Sequence, residues 1–177
     1  MKYFLGWLLL TALPAAQAHE VRQLGAHVHG QAHVDMAVDR GAVELELTAP
    51  GIGVLDYERP PANDGERVAL QRALALLREG RWLTLPSAAQ CTPVRADAHA
   101  DGFQPADKAM SSGAHAHAGF RASLAYQCAN PLALRVVVVT LPSLFPGLHE
   151  VIVNTATGAG QGRSIVTPDE MRVVLAP

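Results

Sequence analysis

The residues of this 177-residue chain best suited to chemistry are its 8 histidines. Several fall in one short stretch, Ala26-His27-Val28-His29-Gly30-Gln31-Ala32-His33-Val34-Asp35. Side chains of a β-strand alternate between two faces, so this stretch read as a strand puts His27, His29, Gln31, His33 and Asp35 together. Val28, Ala32, Val34, Met36 and Val38 take the other face, with Gly30 among them. One face suits a core, and the other is dense in nitrogen and oxygen donors. Neutral imidazole is the commonest protein ligand for zinc and also suits copper, iron and nickel, so metal binding is the first chemistry to consider. Residues two apart on a strand face lie roughly 6.5–7 Å apart, which lets His27 and His29 converge on one ion. His33 lies about 13 Å beyond His29 on a straight strand, too far for a bond of about 2.0–2.1 Å to the same metal. Either Gly30 bends the strand or His33 joins a ligand from elsewhere. The plainer alternative is a set of surface histidines on an exposed sheet face.

A second concentration lies between the 2 cysteines, Cys91 and Cys128. From Ala96 to Gly119 small or polar residues dominate, and His99, His115 and His117 occur with Asp97, Asp101 and Asp107. With almost no apolar periodicity, residues 96–119 are expected to form a long flexible loop. Such loops are usually functional or disordered, and short His-rich tracts are a compositional signal for metal binding. A solvated linker with incidental histidines is the alternative. An even cysteine count in a chain expected to be exported points to a Cys91–Cys128 disulfide closing the loop, with a cysteine–histidine metal site as the competing use. No Cys-x-x-Cys occurs, which argues against a thioredoxin-type redox site and a zinc ribbon.

The elements that must position these residues are read from periodicity. The histidine strand ends near Asp39-Arg40-Gly41, and Ala42 to Ala49 alternates again, which predicts an antiparallel hairpin. Glu44 and Glu46 then share the polar face, as solvated residues or as acceptors for the histidines. After a Gly- and Pro-rich loop over Pro50 to Pro61, Asn63 and Glu66 have capping-box spacing. Val68, Leu70, Ala73, Leu74, Leu76 and Leu77 follow at helical spacing up to Gly80, which predicts one helix covering a sheet face. Strands are expected over Phe120 to Cys128, Leu132 to Leu141 and His149 to Asn154, then a Gly-rich loop from Thr155 to Gly162, with short extended pieces over Arg163 to Val166 and Met171 to Leu175. His149 shares the face of Val151 and Val153, so it reads first as a structural or edge histidine. The expected fold is α+β, mainly antiparallel sheet with one packed helix and the long histidine-bearing loop.

Lys2, the apolar run Phe4 to Leu13 and Ala16-Gln17-Ala18 have the form of a secretory signal peptide over residues 1–18, too short to span a bilayer. Cleavage there leaves a single domain over 19–177, with His19 first and no membrane span. A net charge of −2 gives no basic patch and argues against nucleic acid. The mature product is expected to be soluble and exported.

The signal-like N-terminus, the early His-x-His-Gly-x-Ala, the Pro-rich loop before a single helix, the two cysteines flanking a His/Asp-bearing segment, Cys128-x-x-Pro131 and Phe145-Pro146 occur in one order. In that order they resemble the bacterial periplasmic zinc-binding proteins of the zinc-regulated ZrgA type, across essentially the whole mature chain. The resemblance implies a periplasmic location and zinc binding in support of uptake when zinc is scarce, upstream of an ABC importer. It carries over to His27 and His29 for the N-terminal motif and to His99, His115 and His117 for the loop. Relatives often have a longer, more His-rich loop, and a Phe-Glu-His segment where this chain has Asp56-Tyr57-Glu58-Arg59.

The expected function is therefore capture or buffering of zinc by His27, His29, His33, His99, His115 and His117, with His19, Asp35, Asp97, Asp101 and His149 in support. Catalytic zinc sites hold three ligands on a rigid scaffold with an open position, whereas half or more of these candidates lie on the expected loop, so no enzyme activity is expected. Two other readings differ in class. A mature N-terminal His19 could chelate copper through its amine and imidazole, as in periplasmic copper carriers. A β-domain binding a protein partner would need no metal at all.

Overall fold

Alternation of apolar and polar residues in Ala32–Val38 and Val43–Ala49 builds the centre of the molecule. β1 (Gln31–Asp39) and β2 (Ala42–Pro50) pair antiparallel from His33↔Thr48 to Asp39↔Ala42. Arg40 and Gly41 both have positive φ, 45° and 91°, which gives the two-residue turn whose twist matches the flanking strands. The computed structural model describes residues 28, 30–104 and 118–175.

β2 runs directly into a one-turn helix, α1 (Gly51–Leu55). The long helix α2 (Asp64–Arg78) follows; Asn63 caps it by accepting from the Glu66 main-chain N–H at 2.9 Å. The Glu66 carboxylate reaches back one residue further than a capping box requires and accepts from Ala62 N–H at 2.7 Å. Beyond α2 lie β3 (Leu83–Thr84), β4 (Cys91–Asp101), β5 (Gly119–Cys128), β6 (Val136–Val139), the short helix α3 (Leu141–Leu144), β7 (Glu150–Thr157), β8 (Gly160–Val166) and β9 (Arg172–Val174).

Six strands form one sheet in the order β4-β5-β2-β1-β7-β8, and β3-β6-β9 form a second. Neighbours are antiparallel except β1 and β7, which are parallel. The inward side chains of the large sheet (Val34, Met36, Leu45, Leu47, Phe120, Leu124, Val151 and Val153 among them) are buried. They share one core with Ala73 and Leu77 of α2, Trp82, and Val137, Val139 and Val173 of the small sheet. Trp82 is fully buried and donates its indole N–H to Leu77 O at 3.0 Å, so its one polar atom is satisfied. The opposite face of the large sheet is largely polar. The fold is α+β and predominantly antiparallel, with a Cys91–Cys128 disulfide joining directly opposed residues of β4 and β5.

Several expected boundaries move. β1 starts at Gln31 rather than Ala26: Gly30 has φ +78° and Gln31 N–H bonds Val28 O at 3.1 Å, so the chain turns before the strand. Val28, expected in the core, is accordingly 56% exposed. Residues 96–101, expected within a loop, belong to β4, because pairing with β5 continues to Asp101↔Gly119. The Gly-rich stretch 155–162, expected as a loop, is the β7–β8 hairpin. The expected strand from Leu132 to Leu141 shortens to β6, behind a 3-10 turn over Pro131–Ala133. Among the described residues, no helix is long and apolar enough to cross a membrane.

Candidate metal centre

The register of the large sheet fixes which polar residues share its open face. One cross-strand row reads His99, Arg121, Thr48, His33, Ile152 and Ile165 from β4 to β8; the next reads Asp97, Ser123, Glu46, Asp35, Asn154 and Arg163. His33 and His99 are both exposed and lie in the same row, but three strand spacings separate them by about 14 Å. They cannot share an ion. Asp35 accepts from Asn154 Nδ2 at 2.9 Å, and Glu46 accepts from the Ser123 hydroxyl at 2.7 Å. Asp101 lies 3.5 Å from the Arg121 guanidinium, which opposes His99. Across this face the carboxylates are thus held mainly by neighbouring strands rather than gathered around an imidazole. Among the described residues, no group of three or more His, Cys, Asp or Glu is arranged to hold a metal ion.

The topology does something the sequence does not disclose. β4 ends, β5 begins, β2 ends, β1 begins and β7 begins at the same end of the sheet, as the pairs Asp101↔Gly119, Pro50↔Gly119 and Gln31↔Glu150 require. His29 precedes Gln31 by two residues, His117 precedes Gly119 by two, and His149 precedes Glu150 by one. His33 and His99 lie two residues inside the same end. His19, His27, His29, His115 and His117 fall outside the described residues; the strands they lead into do not.

His149 does not share the burial of Val151 and Val153. Val151 and Val153 are fully buried, but His149 stands outside β7 and is exposed, because the preceding Leu148 is the buried anchor. Its main-chain N–H donates to Gly30 O at 2.8 Å. Its ring lies so close to Gly30 that a Cβ there would come 2.9 Å from His149 Cδ2. The glycine of the His-Gly pair therefore has two jobs, a left-handed backbone and room for this imidazole. Parallel pairing of β1 with a strand more than a hundred residues later brings His149 here, and a single sequence carries little sign of such a pairing.

The segment Asp56-Tyr57-Glu58-Arg59 has structural partners. Arg59 packs 4.9 Å over the Tyr57 ring and pairs with Glu66 at 2.6 Å, while the Tyr57 hydroxyl donates to Glu66 O at 3.0 Å. The Arg59 hydrogen bonds, followed by the Ala62 N–H, hold the Glu66 carboxyl down to about 2. Burial, then Glu66, pushes the Tyr57 phenol up. Tyr57 in turn meets Phe103 edge-on at 6.0 Å, and Phe103 meets Phe120 at 5.2 Å. This aromatic chain fixes Phe103, where the chain leaves β4, against the start of β5. Cys91 and Cys128 are joined to each other and supply no metal ligand.

Residues 26–175 match the family model described as ZrgA family zinc uptake protein. No curated protein matches the chain.

Proposed function

The chain belongs to the ZrgA family of zinc uptake proteins, and we propose that it is a periplasmic zinc-binding protein that captures or buffers zinc for delivery to an importer component. One observation carries the reading: the strand order brings the residues flanking every candidate histidine segment to one end of one sheet. β1 and β7 are adjacent, so the lead-in carrying His27 and His29 starts about 5 Å from the strand that His149 precedes. The start of β5 lies about 10 Å from that of β1, across β2. His117 is two residues and His115 four residues from Gly119, spans of at most about 7 Å and about 14 Å, and an imidazole adds further reach, so both can come to an ion held by the other lead-ins.

Zinc here is cargo, and capture and release need no rigid catalytic site with three fixed ligands and an open position. No catalytic step is part of this reading. A disulfide suits an exported protein, and the signal-like residues 1–18 suit the same route. Imidazole must be neutral to ligate, so affinity falls as pH drops through about 6.5. Competitive titration of metal-free protein tests the reading: His115→Ala/His117→Ala should weaken zinc binding at least about tenfold, or about 1.4 kcal/mol. Unchanged affinity would remove the loop from the site.

A further inference from the structure

The two edges of the six-stranded sheet are built differently. β4 contains Pro93, shifts register between Pro93 and Arg95, carries Arg95, Asp97 and Asp101, and is stapled to β5 by the disulfide. Proline, a bulge and charges are devices by which a sheet edge avoids pairing with another chain. β8 has no proline and no bulge, carries a single charge, Arg163, against the three named on β4, and keeps unbroken register with β7 from Thr157↔Gly160 to Val151↔Val166. Every second residue of such a strand turns its N–H and C=O away from its neighbour, and among the described residues no strand is hydrogen-bonded along that outer side, β9 touching β8 without pairing with it.

The side chains beside this edge are specific. Gln161, Arg163 and Ile165 lie on the open face. Ile165 is 55% exposed, next to Ile152, which is only 5% exposed although it too is on the open face and outside the main core cluster. Arg163 forms no ion pair among the described residues. It helps line a groove of about 670 Å³ whose opposite wall carries Asp35, Glu44 and Glu46. A strand added outside β8 would lie on the far side of Arg163 from those carboxylates.

We propose that β8 is a docking edge for an extended segment of a partner protein, added as a seventh strand with an acidic residue opposite Arg163 and an apolar residue opposite Ile165. Main-chain hydrogen bonds supply affinity in this mode, and alternate side chains supply specificity. A 7-residue edge is well short of the roughly 20–30 residues a side of a standard interface between folded proteins, which favours a flexible segment over a second copy of the chain. Full-length two-fold pairing of β8 would also set Arg163 against its own counterpart, a like-charge pair. The proposal stands apart from the zinc reading, since neither Arg163 nor Ile165 is a zinc candidate.

The probe is the blocked peptide Thr-Ile-Thr-Glu-Thr-Thr-Thr, whose antiparallel addition sets its isoleucine on Ile165 and its glutamate on Arg163. Titration into isotope-labelled protein should shift backbone amides of β7 and β8 alone and slow exchange at β8. Arg163→Glu, whose fold is checked by circular dichroism, should bind at least about tenfold more weakly, and a lysine-for-glutamate peptide should recover that loss. The proposal is overturned by no shifts at about millimolar peptide (a dissociation constant near 1 mM is about −4.1 kcal/mol). Shifts on β4 instead, or equal binding of the lysine peptide to the unaltered protein, would also overturn it. So would a dimer in sedimentation that Ile165→Lys abolishes, because the edge would then belong to a second copy.

Discussion

Replacing Gly30 by alanine tests whether the His-Gly pair is built for geometry. Gly30 has φ +78°, where an L-residue with a Cβ costs roughly 1–2 kcal/mol. Its added Cβ would meet His149 Cδ2 at 2.9 Å and Gly147 O at 3.3 Å. The exposed imidazole can swing away at little cost in stability, whereas the Gly147 carbonyl is main chain and must yield by a few tenths of an ångström. The expected net loss is about 1–2 kcal/mol, a factor of roughly 5–30 in the folding equilibrium. Urea unfolding should show a lower midpoint at unchanged slope. Gly158→Ala is the control: its Cβ would meet nothing within 4 Å and its φ is outside the left-handed region, so the shorter list of unfolded conformations should leave it neutral or about 0.4–1 kcal/mol more stable. Zinc affinity should fall in Gly30→Ala, because His149 is displaced, and hold in Gly158→Ala. Equal stability of the two variants would refute the backbone argument, and unchanged zinc affinity in Gly30→Ala would remove His149 from the site.

The disulfide joins residues 37 apart in sequence, so Cys91→Ala/Cys128→Ala should cost about 4 kcal/mol on the chain-entropy account and lower the melting temperature by roughly 8–16 °C; a shift under about 3 °C would contradict it. Glu66 is held at about 2 against roughly 4.3 in an unfolded chain, so its contribution is complete above about pH 4.5 and is lost as pH falls toward 2. Glu66→Gln should therefore flatten the acid limb of melting temperature against pH in that window. An acid limb identical to that of the unaltered protein would show that the Arg59–Glu66 pair contributes nothing. For zinc itself, removal of residues 105–117 should weaken binding at least as much as His115→Ala/His117→Ala, and an equal affinity in the deletion would leave the lead-in histidines as the whole site.

Much of the framework follows from local pattern alone. Alternation across Ala32–Val38 and Val43–Ala49, the Asn63 cap, the Gly80 stop and the paired cysteines are nearest-neighbour signals, and each has the expected element in the structure. The errors fall where tertiary pairing overrides composition. Ala96-Asp97-Ala98-His99-Ala100-Asp101 has no apolar run, yet it is strand because β5 offers it a partner to the end. Thr155 to Gly162 is Gly-rich and still hairpin, for the same reason. His27, His29 and His33 share a face only on a straight strand, and Gly30 ends that strand first. The convergence of the strand ends that flank the candidate segments depends on parallel pairing of β1 with β7 and on β4, β5 and β2 turning at one end; periodicity within a segment encodes neither.

The most direct test of zinc capture at that end is competitive titration of metal-free protein with zinc and copper across one triple and one double variant. His27→Ala/His29→Ala/His149→Ala removes donors from the lead-ins to β1 and β7, while His33→Ala/His99→Ala removes the two imidazoles about 14 Å apart on the open face. The account predicts tight zinc binding that weakens at least about tenfold in the first variant and stays within about threefold in the second. The reverse ranking, or binding of copper alone through a free His19, would contradict it.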